Sequence, residues 1–374
     1  MTSPSTGYIL KSPKKIIGVA AYGIKKTNDS GSPNQRLPEG KRHGGKMRIA
    51  EILKKKMTVS FEVFPPKEDD GVPKLQKEID ICKKYNPDFI SCTYGAGGSN
   101  KGKSVEVCSY VQKQGINCMT HYTCIMESEK TIDDNLKEYA SHGVENILAL
   151  RGDYRIDPGT GKPDVKTGGS FHYASQLVDY VAKKHPKYCI ACAGDPEVHT
   201  DARSIWSDMA FMRLKQDAGA EFCLAQTCHD IVAYEKWIKQ LRHAGFHLPV
   251  VLGVMPALNA RFTEGGPNIS SLTMIPNESA IPRSLSAIVG KYTAPRGASP
   301  EVAKQYADDF KKAGKEWTVD QIHKFMCADV QGIHLYTLNK AADAADIIEW
   351  SGLRPSPEGK DTVHRRSTIE LGCY

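Results

Sequence analysis

From residue 57 onward the chain alternates between two patterns. Short runs rich in β-branched residues end in Gly, Pro or polar residues. Each is followed by a longer stretch in which apolar residues recur every three or four positions, the spacing of one helix face. The runs predict eight strands: Thr58–Phe64, Asp88–Tyr94, Asn117–Cys124, Asn146–Arg151, Tyr188–Ala193, Glu221–Gln226, Pro249–Met255 and Gly332–Leu338. Helices are predicted over Val72–Lys84, Ser104–Gln114, Thr131–His142, Ala174–Lys184, Asp201–Ala218, Ile231–Ala244 and Lys340–Trp350. Asp201 is a candidate N-cap, and Gly143 and Gly245 stand where helices end in a left-handed residue.

Strict alternation of strand and helix implies a parallel sheet. Eight such units over about 300 residues predict a closed (β/α)8 TIM barrel rather than an open doubly wound sheet. No G-x-G-x-x-G follows the first strand, which argues against a dinucleotide-binding open sheet. The longest connection, Pro256 to Gln331, carries further helical segments at Ala280–Val289, Pro300–Ala313 and Thr318–Ala328.

Composition sharpens this picture. With 374 residues, 40% hydrophobic and 25% charged, the chain is neither collagen-like nor wholly disordered. It contains no run of 18 apolar residues, so no membrane-spanning helix is predicted. The net charge of +7 is unevenly placed: residues 1–48 carry +8 and the remainder −1. The expected organisation is a basic, disordered extension (1–48), a catalytic barrel (49–355) and a polar tail (356–374). A neutral barrel body gives no nucleic-acid footprint. Eleven cysteines, an odd number with several in apolar runs, suit reduced thiols and a cytoplasmic protein. Organelle targeting by the basic segment stays open. Cys189-x-x-Cys192 lies within a strand-like run without a second such pair, so a structural role is expected. Cys228-His229-Asp230 is adjacent rather than spaced for a metal and is also read as structural.

Barrel chemistry sits at the carboxyl ends of the strands. Those ends supply Glu62; Thr93-Tyr94 and the loop Gly95–Ser99; Thr120, His121 and Thr123; Arg151-Gly152-Asp153; Asp195 to His199; Gln226; and Thr337, Asn339 and Lys340. Each has a plain structural reading. Glu62 could be a rim ion pair, Asp153 a solvated turn and His121 a satisfied core histidine. Gln226 is harder to dismiss, because an amide in a barrel mouth needs partners at both ends. No zinc cluster, nucleophile elbow or phosphate loop appears. A polar mouth with one candidate acid and no metal motif suggests that a cofactor carries the difficult chemistry.

Taken together and in order, the strand-end motifs resemble the methylenetetrahydrofolate reductase family from about Thr58 to Pro355. They are SFEVFPPK (60–67), TYGAGGS (93–99), THYTCI (120–125), ILALRGD (147–153), GKP and YAS (161–163, 173–175), PEVH (196–199), DAGAEFCLAQ (217–226) and HLYTLNK (334–340). The resemblance implies reduction of 5,10-methylenetetrahydrofolate to 5-methyltetrahydrofolate, a step that feeds methionine biosynthesis. Flavin, usually FAD, relays hydride from NADH or NADPH. It casts Glu62 as the acid and Asp153 as a pterin-binding carboxylate near the flavin. Gln226 and Lys340 become folate contacts, and Gln226 also meets the nicotinamide. Flavin contacts fall on Thr93, Tyr94, Ala96, His121, Arg151, Gly152, Asp153, Tyr173, Ala174, His199, Asp208 and Lys215. It also implies a homo-oligomer whose partners are a folate and a nicotinamide dinucleotide.

Four positions depart from the family pattern. Lys340 stands for a usual Arg and loses its bidentate fork. Asp195 stands for a Tyr, and Phe211 and Leu214 for polar or basic residues on the helix that holds FAD. The departures at Asp195, Phe211 and Leu214 predict a flavin held loosely or differently. The alternatives are a related barrel enzyme with altered or absent flavin, or a non-catalytic partner subunit.

Overall fold

The computed structural model describes residues 47–66, 68, 70–94, 101–153, 159–160, 169–199, 202–260 and 282–358. The extension up to residue 46, the Gly95–Ser99 loop with Ala96, Asp201 and the tail from 359 lie outside them.

The eight strands are β1 (Thr58–Val63), β2 (Phe89–Cys92), β3 (Asn117–Thr123), β4 (Asn146–Leu150), β5 (Cys189–Gly194), β6 (Phe222–Ala225), β7 (Val250–Val254) and β8 (Gly332–Tyr336). They close into a barrel in sequence order, all parallel, with β1 pairing β8. The chain is therefore a TIM barrel, as its alternating pattern predicts. The helices among the described residues are α1 (Ile49–Leu53), α2 (Gly71–Lys83), α3 (Lys101–Lys113), α4 (Glu129–Ser141), α5 (Ala174–Lys184), α6 (Ile205–Asp217), α7 (Ile231–His243), α8 (Arg283–Tyr292), α9 (Pro300–Met326) and α10 (Ala341–Trp350). No helix among the described residues is long and apolar enough to cross a membrane.

Side chains alternate across each strand. Val59, Phe61 and Val63 of β1, Ile90 and Cys92 of β2, and Ile333 and Leu335 of β8 join the layer between sheet and helices. The opposite parity fills the barrel. At its amino end Phe89, Met119, Leu148, Ala191, Phe222 and Val251 pack on Ile49, Ala50 and Leu53 of α1, which plugs the barrel floor. Arg48 anchors the plug by pairing with Glu221 and donating to the carbonyls of Lys187 and Tyr188. The same parity one layer higher is polar: Ser60, Glu62, Ser91, His121 and His334 are all buried.

Two local expectations change. Helix α6 begins at Ile205, and its cap is Ser204, whose hydroxyl accepts from the Ser207 N–H, not Asp201. Ser204 and Ser207 cap each other reciprocally, a closer fit than an aspartate three residues earlier. The segments 300–313 and 318–328 form one 27-residue helix, α9. Gly314 is not a break; a Cβ there would collide with the Ala257 carbonyl, so glycine lets α9 approach the β7 loop. Lys315, in the next position, bridges Asp343 and Asp346 of α10.

Cys189 faces the plug and Cys192 the helix layer, so the two thiols lie on opposite faces of β5 and cannot share a ligand. In Cys228-His229-Asp230, Asp230 caps α7 by accepting from the Val232 N–H, and the buried His229 ring packs on Trp317. Burial pushes the His229 imidazole down to about 4. The unfolded chain therefore takes up a proton near pH 6.5 that the folded chain refuses until about pH 4. Stability rises with pH across that window and is fully present above it. We expect His229→Phe to remove an acid-side loss of about 2 kcal/mol, measured by urea unfolding at pH 7 and 4.5. Equal slopes for the two proteins would contradict this.

Candidate active site

Parity in four neighbouring strands builds the site. Ser60 and Glu62 on β1, Ser91 on β2, His121 on β3, and His334 and Tyr336 on β8 face the barrel axis, because the residues between them belong to the outer layer. Register places Glu62 opposite Ser91 on one side and Tyr336 on the other.

Glu62 is 5% exposed. Its Oε2 lies 3.4 Å from His121 Nε2 and 3.5 Å from His334 Nε2. Both imidazoles belong to residues that are themselves buried. His334 is fixed from below, with Nδ1 2.8 Å from Ser60 Oγ and Nε2 3.0 Å from Ser91 Oγ. His121 Nε2 has no hydrogen-bond partner; at 3.4 Å its approach to Glu62 is not aligned for one. Burial holds the His121 imidazole below its usual range, with the Glu62 charge pulling it back up. A neutral imidazole thus sits beside the carboxyl with bonding capacity to spare.

Tyr336 links this group to Gln226. Its hydroxyl donates to Gln226 Oε1 over 3.0 Å, and the Thr227 N–H donates to the same oxygen. With its carbonyl doubly held, Gln226 keeps its amide N–H groups for a ligand. Burial, with the charges of Glu62 and Asp195, raises the Tyr336 phenol well above its usual value, so it remains a donor. Gly253 on β7 makes the room, since a Cβ there would fall on the Tyr336 hydroxyl and stand 2.8 Å from the Ala225 carbonyl.

The rim is open. Asp153 and Lys340 are exposed, and Thr93, Arg151 and Gly152 are half-buried. Gly152 has φ +86°, and a Cβ would meet Thr123 Cβ at 2.8 Å, so the Arg-Gly-Asp turn requires glycine. The tip of β8 is pinned to β1 by Asn339, which accepts from the Phe64 N–H and donates to the Phe64 carbonyl. Leu338 and Asn339 both adopt positive φ to make that turn. The Tyr94 ring turns away from the mouth, packing on Tyr122 and within 3.5 Å of Asn135 on α4.

A second cluster lies between β5 and α6. Asp195, Glu197 and Asp208 gather near His199 and Lys215. Burial raises the Asp195 carboxyl, with the Asp208 charge adding to it. Burial, together with Asp195 and Asp230, pushes Glu197 up to about 7. Burial also raises Asp208, against the pull of Lys215. Lys215 Nζ donates to the Ala193 carbonyl at 2.8 Å, and Asp208 Oδ2 is buried without a hydrogen-bond partner. Tyr173, capping α5, stacks on Phe211 of α6.

The structure thus brings Glu62, His121 and Gln226 together and sets His199, Asp208 and Lys215 beside Asp195. His334, Tyr336, Ser60 and Ser91 are additions that sequence reasoning did not single out. Their signal was parity: a polar residue at an inward position of an otherwise apolar strand.

Comparison with known proteins decides the lineage of this site. The family model for methylenetetrahydrofolate reductase matches residues 46–352, which include the plug and every strand. The chain belongs to the methylenetetrahydrofolate reductase family. Methylenetetrahydrofolate reductase (NADH) 1 of Arabidopsis thaliana is 32% identical over 306 residues, covering 79% of this chain and 48% of the plant protein. Methylenetetrahydrofolate reductase 1 of Schizosaccharomyces pombe is 30% identical, covering 82% and 49%. The 5,10-methylenetetrahydrofolate reductase of Salmonella typhimurium is 27% identical, covering 82% and 94%. The chain spans about half the length of the plant and yeast relatives and nearly all of the bacterial one. Within the methylenetetrahydrofolate reductase match, Glu62, His121, Gln226, His334 and Tyr336 all fall in the shared region.

Proposed function

We propose that this protein reduces 5,10-methylenetetrahydrofolate to 5-methyltetrahydrofolate with NADH or NADPH as donor. The observation that carries this reading is Glu62, a carboxyl buried in the barrel mouth between two imidazoles, in a chain of the matching family. The substrate's methylene carbon bridges two nitrogens. Opening the bridge breaks the bond to one nitrogen, which takes a proton, and leaves an iminium at the other. Hydride addition to that carbon completes the methyl group. The protein must therefore deliver one proton beside a hydride-accepting carbon.

Glu62 is placed to supply that proton. Low exposure excludes bulk water, and neither imidazole makes an aligned hydrogen bond that would hold the carboxyl away from substrate. Two imidazoles within 3.5 Å offer a route to reload it. Gln226, its carbonyl held by Tyr336, presents N–H donors to the folate's acceptors. Asp153 and Lys340 at the rim meet the polar ends of the substrate.

A bound flavin would carry the hydride from the reduced nicotinamide to the folate carbon. The described residues fit such a group: His121 Nε2 and Asp208 Oδ2 are buried with bonding capacity unspent, and Tyr173 offers an exposed ring. His121, Arg151, His199 and Lys215 would help to hold it. The test is the absorbance spectrum of the purified chain. Flavin bands should bleach with NADH or NADPH and return on addition of 5,10-methylenetetrahydrofolate. A colourless protein that oxidises neither nucleotide with that substrate would overturn the reading.

A further inference from the structure

Side chains hold the end of β1 where the β-ladder no longer can. Regular pairing with β8 closes at Glu62 opposite Tyr336. Beyond it stand Phe64 and then Pro65 and Pro66, which have no N–H to donate. Asn339 takes over from the ladder. Its side-chain oxygen accepts from the Phe64 N–H over 3.0 Å, and its amide nitrogen donates to the Phe64 carbonyl over 2.9 Å. Its own backbone N–H donates to Thr337 Oγ1, which donates in turn to the Glu62 carbonyl over 2.7 Å. On the other flank the Thr93 N–H donates to the Val63 carbonyl. Each carbonyl from Glu62 to Phe64 is therefore held, two of the three by Asn339 or through Thr337 beside it.

The backbone is strained to make this clamp. Leu338 and Asn339 take φ +51° and +55°, a region that leucine rarely adopts and asparagine tolerates. Strain of this kind persists only where the surrounding structure over-determines it, and it gathers at functional sites. The Glu62 carboxyl, 3.4 and 3.5 Å from its two imidazoles, makes no aligned hydrogen bond of its own, so its placement depends on the backbone beneath it. We propose that Asn339 is the positioning residue for Glu62: its side-chain amide, closed on Phe64, fixes where the acid meets the bridging nitrogen of the substrate. The proposal rests on the reading of Glu62 as the proton donor. Lys340 follows Asn339 directly and is the other group within reach of the clamp. The two roles separate in kinetics, since a misplaced acid lowers kcat and a misplaced Lys340 raises the folate KM.

The test uses the 374-residue chain. Asn339→Gly leaves the left-handed backbone accessible and removes the clamp. It should lower kcat for 5-methyltetrahydrofolate formation about 10- to 100-fold, the scale of a small misplacement of a reacting group, and leave the folate KM within about twofold. Asn339→Asp keeps the shape and the acceptor but sets an oxygen against the Phe64 carbonyl, so its loss should fall in the same range. In a Glu62→Gln background Asn339→Gly should cost less than about twofold more, because the group it positions is already gone. Hydrogen exchange should quicken in residues 60–66 and stay unchanged in β4 to β6. A normal kcat with a raised folate KM would assign the clamp to Lys340 and overturn the proposal. Losses that add to those of Glu62→Gln, or exchange that quickens throughout the barrel, would make Asn339 a structural residue and overturn it too. A wild-type chain that forms no 5-methyltetrahydrofolate is a different failure: it removes the reading of Glu62 as the acid, and the positioning role falls with it.

Discussion

Glu62→Gln is expected to lower the rate of folate reduction by about 10²–10⁴-fold, the range for loss of a positioned acid, while the protein stays folded. Glutamine keeps the shape and removes the transferable proton. The side chain contributes no aligned hydrogen bond to its surroundings, and the strand is held through the Glu62 carbonyl, which accepts from the Thr337 N–H and hydroxyl. The melting temperature should therefore move little. Bleaching of the flavin bands by NADH or NADPH should persist, because that half of the reaction needs no proton delivered to the folate. Equal losses in both halves would remove Glu62 from its role as the specific acid and leave it a structural member of the mouth.

The second large effect is expected at Gly253. An added methyl group meets the Tyr336 hydroxyl and the Ala225 carbonyl, and the carbonyl belongs to a paired strand that cannot move away. Gly253→Ala should cost about 1–3 kcal/mol of stability as overpacking. It should also break the Tyr336–Gln226 hydrogen bond, raising the KM for folate more than it lowers kcat. Tyr336→Phe removes the colliding hydroxyl, so the double variant should recover part of the lost stability. That recovery is the coupling a double-mutant cycle measures. Additive losses would mean that the collision with Ala225 dominates and that Tyr336 is not what Gly253 accommodates.

Much of this was legible in the chain because strand parity and loop punctuation both follow from simple geometry. Each of the eight β-branched runs became a strand, with ends within about three residues, the usual uncertainty of a boundary. Glu62 and Gln226 were visible as polar residues closing apolar runs. The plug α1 was not, because five residues cannot show helical periodicity and so short a helix is stable only when docked. Its docking partners, such as Phe222 and Val251, lie more than a hundred residues away. The two segments of α9 read as separate because local pattern does not show that Gly314 between them has a role set by Ala257 across the fold. His334 and Tyr336 stood in a recognised motif, but their importance depends on facing Glu62 from the last strand. Only closure of the barrel brings β8 against β1. The aromatic pair at Tyr173 and Phe211 likewise needs two helices side by side.

Under the proposed function, this barrel uses Glu62 as the acid that converts 5,10-methylenetetrahydrofolate to 5-methyltetrahydrofolate. The direct measurement mixes the purified chain anaerobically with NADH or NADPH and 5,10-methylenetetrahydrofolate, then quantifies folate product and oxidised nucleotide together. One 5-methyltetrahydrofolate should form per nucleotide oxidised, and almost none with Glu62→Gln. Nucleotide oxidised without methylated folate, or product formed equally well by Glu62→Gln, would contradict the proposed function.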